Sequence, residues 1–178
     1  AAVQMALRIY REKMHEFAER GYLDTWYSRT QATVLQKMAD KSDRKTAAAQ
    51  LARVQHRDRL AAFNKLTEVV DGKRRIIDDP PLIHRLDKQD AETRDWLVEL
   101  FTAYHASLED SRKRLLGRYR LVDMAHKVVG VGSVGTRCFI AYWEGIDEGD
   151  PLFLQVKQAN ASLLEPYLGR SEYAHPGA

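Results

Sequence analysis

The spacing of apolar residues divides the chain into a helical first part and a strand-rich second part. In residues 3–20 apolar side chains recur every three or four positions, which puts them on one face of a helix. They are Val3, Leu7, Tyr10, Met14 and Phe17, and Gly21 predicts the end of this helix. Residues 91–116 have the same period and predict another long helix, with Trp96, Leu97, Leu100, Phe101, Tyr104, Leu108, Leu115 and Leu116 as its apolar residues.

Between these two segments the pattern is weaker and then changes to strands. Residues 31–63 are rich in alanine and charge and predict a helix with a thin apolar face, which favours packing on a partner or on other parts of an intact protein. The pair Asp71-Gly72 between two β-branched runs predicts a β-hairpin near residues 67–77. Pro80-Pro81 then ends regular structure.

The second part begins near Tyr119 and contains a glycine motif. Residues 128–157 predict two strands joined by a glycine-rich turn and a third strand that ends at Lys157. Gly130, Gly132 and Gly135 have the spacing G-x-G-x-x-G. A dinucleotide-binding motif requires a helix after the third glycine. Residues 136–143 are instead β-branched and aromatic, so the pattern favours a hairpin that covers phosphates.

The residues of this hairpin have the chemistry that phosphate binding requires. Glycines allow backbone amides to approach phosphate oxygens, and Lys157 brings a positive charge 22 residues after the third glycine. Ser133 can donate a hydrogen bond, and Arg137 adds charge. The candidate phosphate-binding residues are Gly130, Gly132, Ser133, Gly135, Arg137 and Lys157. A structural hairpin whose lysine extends into solvent fits the same residues and stays open.

Composition excludes several other classes. The formal charge of +3 is too small to indicate nucleic-acid binding. No apolar run approaches the roughly 18 residues of a membrane span. The single cysteine, Cys138, rules out an intramolecular disulfide and is typical of a cytoplasmic protein; its place in a predicted strand favours a buried side chain over a nucleophile. The six histidines are scattered and predict no metal site.

Four stretches resemble a large bacterial family, catalogued as domain of unknown function 2252. They are residues 121–137 with the run Val-Gly-Val-Gly-Ser-Val-Gly-Thr-Arg, residues 150–157, residues 65–82 and residues 164–169. The resemblance implies a kinase-like and aminoglycoside-phosphotransferase-like protein that uses ATP and magnesium. It also implies a longer protein, whose catalytic-base and magnesium-binding segments are absent from this sequence. We therefore expect an internal fragment that is inactive alone.

The sequence thus predicts an α+β fold, with a mainly helical region over residues 1–117 and an antiparallel sheet over residues 118–178. The sheet would resemble a kinase-type upper lobe with a glycine-rich hairpin. The predicted function is nucleotide binding within a phosphotransferase, whose phosphoryl acceptor the sequence does not indicate. The partners would be the nucleotide, that acceptor and the remaining parts of the intact protein. The alternative is a non-catalytic helical interaction module with a structural glycine hairpin.

Overall fold

Helices and antiparallel sheets make up the chain, which confirms the predicted α+β class. The computed structural model describes residues 2–27, 60–87, 90–130, 135–169 and 172. Helix α1 is Ala2–Ala18, α2 is Ala91–Ser107, α3 is Asp110–Leu116 and α4 is Glu165–Leu168. Residues 22–27 and 60–66 are also helical. Most of the helix predicted over residues 31–63 lies outside the described residues.

A two-stranded sheet follows the helical residues 60–66. Strand β1, Thr67–Val70, pairs antiparallel with β2, Lys73–Ile76. Asp71 and Gly72 both have positive φ, at 50° and 71°. A two-residue type I′ turn requires positive φ at both central positions, so Asp-Gly determines the tight connection here.

The larger sheet has four strands in the order β3-β4-β5-β6, all antiparallel to their neighbours. They are β3 Ile83–Arg85, β4 Arg120–Lys127, β5 Cys138–Glu144 and β6 Pro151–Lys157. The prediction that residues 128 and 129 belong to a strand is wrong, as is the prediction for residues 136 and 137. Gly130 has φ of 61° and Gly135 has φ of 84°, so the extended backbone ends on both sides of the connection.

Both long helices end earlier than predicted. Helix α1 ends at Ala18 instead of Arg20, and the single helix predicted over residues 91–116 is interrupted after Ser107. Leu108 and Glu109 have extended backbone, with ψ of 157° and 152°. The ring Nε2 of His105 lies 3.0 Å from the Lys113 carbonyl oxygen, a hydrogen bond that joins α2 to α3 across the break.

Two apolar clusters cover the two faces of the four-stranded sheet. On one face Leu97 and Phe101 of α2 pack in a cluster with Met124, Phe139 and Ala141. On the other face Phe63 and Ile76, from residues 60–66 and β2, pack in a cluster with Ala125, Ile140 and Tyr142. Side chains alternate between the faces of a strand, so along β5 successive residues belong to the two clusters in turn.

The apolar face of α1 takes no part in these clusters. Val3 is 73% exposed, Leu7 59% and Tyr10 64%. The period that predicts the helix is present, but its apolar side chains face outward in the described structure.

A buried carboxylate fastens the small sheet to the large one. Asp123 of β4 has no solvent exposure and accepts hydrogen bonds from Arg75 Nε at 2.8 Å and Arg75 Nη2 at 3.0 Å. It also accepts one from the Ile76 backbone N–H at 3.0 Å. Because both donors belong to β2, this one side chain fixes the hairpin against β4.

A second buried carboxylate fastens the segment after α1 to the β5–β6 turn. Asp150 accepts hydrogen bonds from the Tyr22 backbone N–H at 2.7 Å and from the Tyr119 hydroxyl at 3.0 Å. A Cβ on Gly21 would lie 2.5 Å from Asp150 Oδ1, and one on Gly145 would lie 2.8 Å from Asp150 Cγ. Gly21, predicted as a helix stop, is therefore needed here for close packing.

Candidate functional site

The candidate site lies at one end of the large sheet, where β4 ends, β5 begins and β6 ends. Residues 128–137, which we call the glycine connection, join β4 to β5 there. Gly130 and Gly135 have φ of 61° and 84°, values that side chains with a Cβ rarely adopt. Gly132 and Ser133 lie outside the described residues, so their predicted contacts to phosphate stay predictions.

Two lysines and a thiol form a row across the strands beside this connection. Cys138 is opposite Lys157 in the register of β5 and β6. His126 is opposite Phe139 in the register of β4 and β5, so Lys127 comes opposite Cys138 at the next position. The row therefore reads Lys127, Cys138, Lys157. Lys127 is half-buried and Lys157 is exposed.

The thiol in this row is not a plausible nucleophile. Cys138 is buried, with 1% exposure. Burial raises the pKa of the Cys138 thiol, although the charges of Lys157 and Lys127 and a hydrogen bond with Gln155 oppose the rise. Because the thiolate is the reactive form, a buried thiol with a raised pKa is inert. This agrees with the sequence interpretation of Cys138 as a buried side chain.

Arg137 adds a third cationic residue at the start of β5. Its backbone is fixed to the residue after β6, because the Gln158 N–H donates to the Arg137 carbonyl at 2.8 Å. The Arg137 N–H in turn donates to Gln158 Oε1 at 3.1 Å. The residue is exposed, so its guanidinium can reach a ligand at the strand ends.

These three cations contrast with the arginines elsewhere in the sheets. Arg75, Arg85 and Arg120 each lie within 4 Å of a carboxylate, from Asp123, Glu68 and Glu144. Among the described residues, no ion pair involves Lys127, Arg137 or Lys157. No carboxylate that pairs with Lys157 is thus found in this part of the chain.

A groove adjoins the site on the face of the sheet that α2 covers. It has two lobes, of about 520 Å³ and 380 Å³, and Trp96, Arg137 and Phe139 line both. Glu92 lines only the first lobe, and Lys157 only the second. The Trp96 and Phe139 rings meet edge to face, with centroids 5.9 Å apart.

Lys127 and Lys157 belong to the other face of the sheet, although Lys157, at the very end of β6, also borders the second lobe. Val156 packs in the cluster on the α2 side, so the alternation along β6 turns Gln155 and Lys157 away from α2. Lys127 lies on the same face as Lys157, because both are opposite Cys138 in the row. The strand ends thus offer positive charge on the face away from α2, with Arg137 at the groove.

Sequence reasoning found part of this arrangement. Arg137 and Lys157, predicted from the motif, do come together at one sheet end with Gly130 and Gly135. Lys127 was missed, because its place opposite Cys138 depends on the register of β4 and β5. Trp96 was interpreted only as part of an apolar helix face, because its position against Phe139 depends on tertiary packing.

The described residues supply no metal centre. In the ranges that the structure describes, no group of three or more His, Cys, Asp or Glu side chains is placed to hold a metal ion. No magnesium ligand is assigned to these residues. None of the helices in the described part of the chain is long and apolar enough to cross a membrane.

A comparison with protein-family models finds a match over the whole chain. The model described as "Uncharacterized protein conserved in bacteria (DUF2252)" matches residues 1–178, which include the glycine connection and the three cationic residues. Comparisons with curated proteins and with solved structures found no match.

Proposed function

We propose that this chain, which belongs to the uncharacterised bacterial family DUF2252, is the nucleotide-phosphate-binding portion of a kinase-like phosphotransferase. The observation that carries the proposal is the gathering of Lys127, Arg137 and Lys157 beside the glycine connection. Like charges at neighbouring strand ends repel each other, and a bound anion offsets this repulsion. A polyphosphate is an anion of suitable charge and size to bring them together.

The strand order supports a kinase-type arrangement over other phosphate sites. In protein kinases a glycine-rich loop between two antiparallel strands covers the phosphates, and a lysine on the following strand pairs with them. Here β4 and β5 flank the glycine connection, and the next strand, β6, ends at Lys157. A dinucleotide fold has less support, because β5 and not a helix follows Gly135.

Each residue would then have a distinct task. The amides around Gly130 and Gly135 would approach phosphate oxygens, because no Cβ obstructs them. Lys157 and Lys127 would neutralise phosphate charge from one side of the strand ends, and Arg137 would do so at the groove. This part of the enzyme would position the phosphates and stabilise charge, while the catalytic base and metal ligands come from elsewhere.

A second function, a non-catalytic interaction module, has one observation in its favour. Large apolar side chains are exposed on α1 and around α4, with Leu163 at 91% and Tyr167 at 84% exposure. Contiguous exposed apolar residues mark surfaces that a protein partner can cover. Under this alternative the glycine connection is structural and the lysines bind nothing.

Thermal unfolding with and without Mg-ATP separates the two functions. Nucleotide at about 100 times its dissociation constant should stabilise the folded chain by roughly 2.7 kcal/mol. Lys157→Ala should abolish most of this stabilisation, because the variant loses a direct phosphate contact. Lys73→Ala removes an exposed lysine from β2 in the other sheet and should leave the stabilisation intact. A parent chain that unfolds cooperatively and gains no stability from Mg-ATP would contradict nucleotide binding.

A further inference from the structure

The groove beside Arg137 contains an aromatic platform that phosphate binding does not use. Trp96 is 43% exposed, although Trp is among the side chains that gain most from burial. Its contact with Phe139, which is itself 6% exposed, restrains the indole while leaving part of its surface open to the groove. An exposed, restrained indole is a surface on which a planar heteroaromatic ring can stack.

The charges along the groove give a ligand one preferred direction. Glu92 lines the first lobe only, Lys157 lines the second only, and Arg137 and Trp96 lie where the lobes meet. A phosphate chain is repelled by the Glu92 carboxylate and attracted by Arg137 and Lys157. The uncharged end of a nucleotide therefore belongs in the first lobe, beside Trp96. The volumes of the lobes, about 520 Å³ and 380 Å³, lie within the range of small-molecule sites.

From this arrangement we infer that the nucleotide base stacks on Trp96 in the first lobe, with its phosphates directed over the strand ends toward Arg137 and Lys157. The inference rests on the proposed function and adds the base-binding site to it. It places the base on the α2 face of the sheet, and it makes Trp96 a determinant of affinity for nucleotides but not for inorganic polyphosphate.

The test compares Mg-ATP with inorganic tripolyphosphate on the parent chain and on Trp96 variants, by isothermal titration calorimetry. Trp96→Ala should weaken Mg-ATP binding about tenfold or more, the usual effect of removing a stacking platform. Its affinity for tripolyphosphate should stay within about twofold of the parent, because the phosphate contacts are separate. Trp96→Phe keeps a smaller ring and should recover much of the Mg-ATP affinity.

Two controls keep the result interpretable. Tyr104→Ala removes another exposed aromatic residue of α2, 45% exposed and outside the groove lining, and should change neither affinity. Thermal unfolding of each variant verifies that it is folded; if Trp96→Ala does not fold, Trp96→Leu replaces it with a non-aromatic side chain that still fills space against Phe139.

The outcomes separate the two claims. Equal weakening of both ligands by the Trp96 variants, or unchanged Mg-ATP affinity, would overturn base stacking while leaving phosphate binding in place. So would a parent chain that binds tripolyphosphate as tightly as Mg-ATP. A folded parent that binds neither ligand would remove the proposed function, and base stacking with it.

Discussion

Asp123→Ala should lower the free energy of unfolding by about 3 kcal/mol, a typical cost for removing one member of a buried hydrogen-bonded charge pair. Asp123 has no exposure and accepts three hydrogen bonds from β2, two from Arg75 and one from the Ile76 N–H. In the variant the buried Ile76 N–H loses its acceptor. The Arg75 side chain is 34% exposed and can turn toward water, which keeps the loss from being larger. Urea unfolding would measure the change as a lower midpoint at constant slope.

Asp95→Ala is the matched control for this variant. Asp95 is an exposed aspartate of α2, so its replacement should change the stability by no more than about 0.5 kcal/mol. Asp123→Asn keeps an acceptor for Ile76 while removing the charge, and it should lie between Asp123→Ala and the parent. If Asp123→Ala unfolded within about 1 kcal/mol of the parent, the carboxylate would not be what fastens the β1–β2 hairpin.

Gly145→Ala should also cost about 3 kcal/mol, here through overpacking and the loss of hydrogen bonds to Asp150. The new Cβ would overlap the Asp150 carboxylate and lie 3.0 Å from the Tyr119 ring. Asp150 cannot retreat without giving up its hydrogen bonds to the Tyr22 N–H and the Tyr119 hydroxyl. Urea unfolding of single and double variants would test this cause.

The double variant Gly145→Ala/Asp150→Ala should be about as stable as Asp150→Ala alone, because the clash partner is gone. Gly149→Ala, in the same turn, meets only the exposed Asp147 carboxylate at 3.0 Å and should be close to neutral. Additive losses in the double variant would show that Gly145 is needed for a reason other than Asp150.

Short-range sequence patterns were enough to predict the main helices and strands. The Asp-Gly pair, which occupies a turn with positive φ at both positions, is readable from sequence because few other residues tolerate that backbone. The change from a helical period to β-branched runs also indicated where the large sheet begins. The interruption of the long helix at Leu108 and Glu109 was not predictable, because the hydrogen bond between His105 and Lys113 depends on how two helices meet.

Long-range contacts limited the prediction of the site. Gly21 and Asp150 are 129 positions apart in the sequence, so their close packing leaves no local trace. Lys157 was predicted from the sequence because the kinase-type pattern has a lysine on the strand that follows the glycine-rich hairpin. Lys127 required the strand register, and Trp96 required the packing of α2 on β5. Trp96, on which the inference about base stacking depends, is thus a residue that the linear pattern does not distinguish.

Amide chemical shifts in a tripolyphosphate titration test the central claim, binding of phosphates at the glycine connection, most directly. Saturable shifts of the Gly130 and Gly135 amide signals are expected, and these should be lost in Lys157→Ala. Gly72 and Gly169 also have positive φ, at 71° and 84°, but lie outside the site, so their signals should not move. Saturable binding that leaves Gly130 and Gly135 unchanged, or no binding by the folded chain, would contradict the assignment of the glycine connection as a phosphate site.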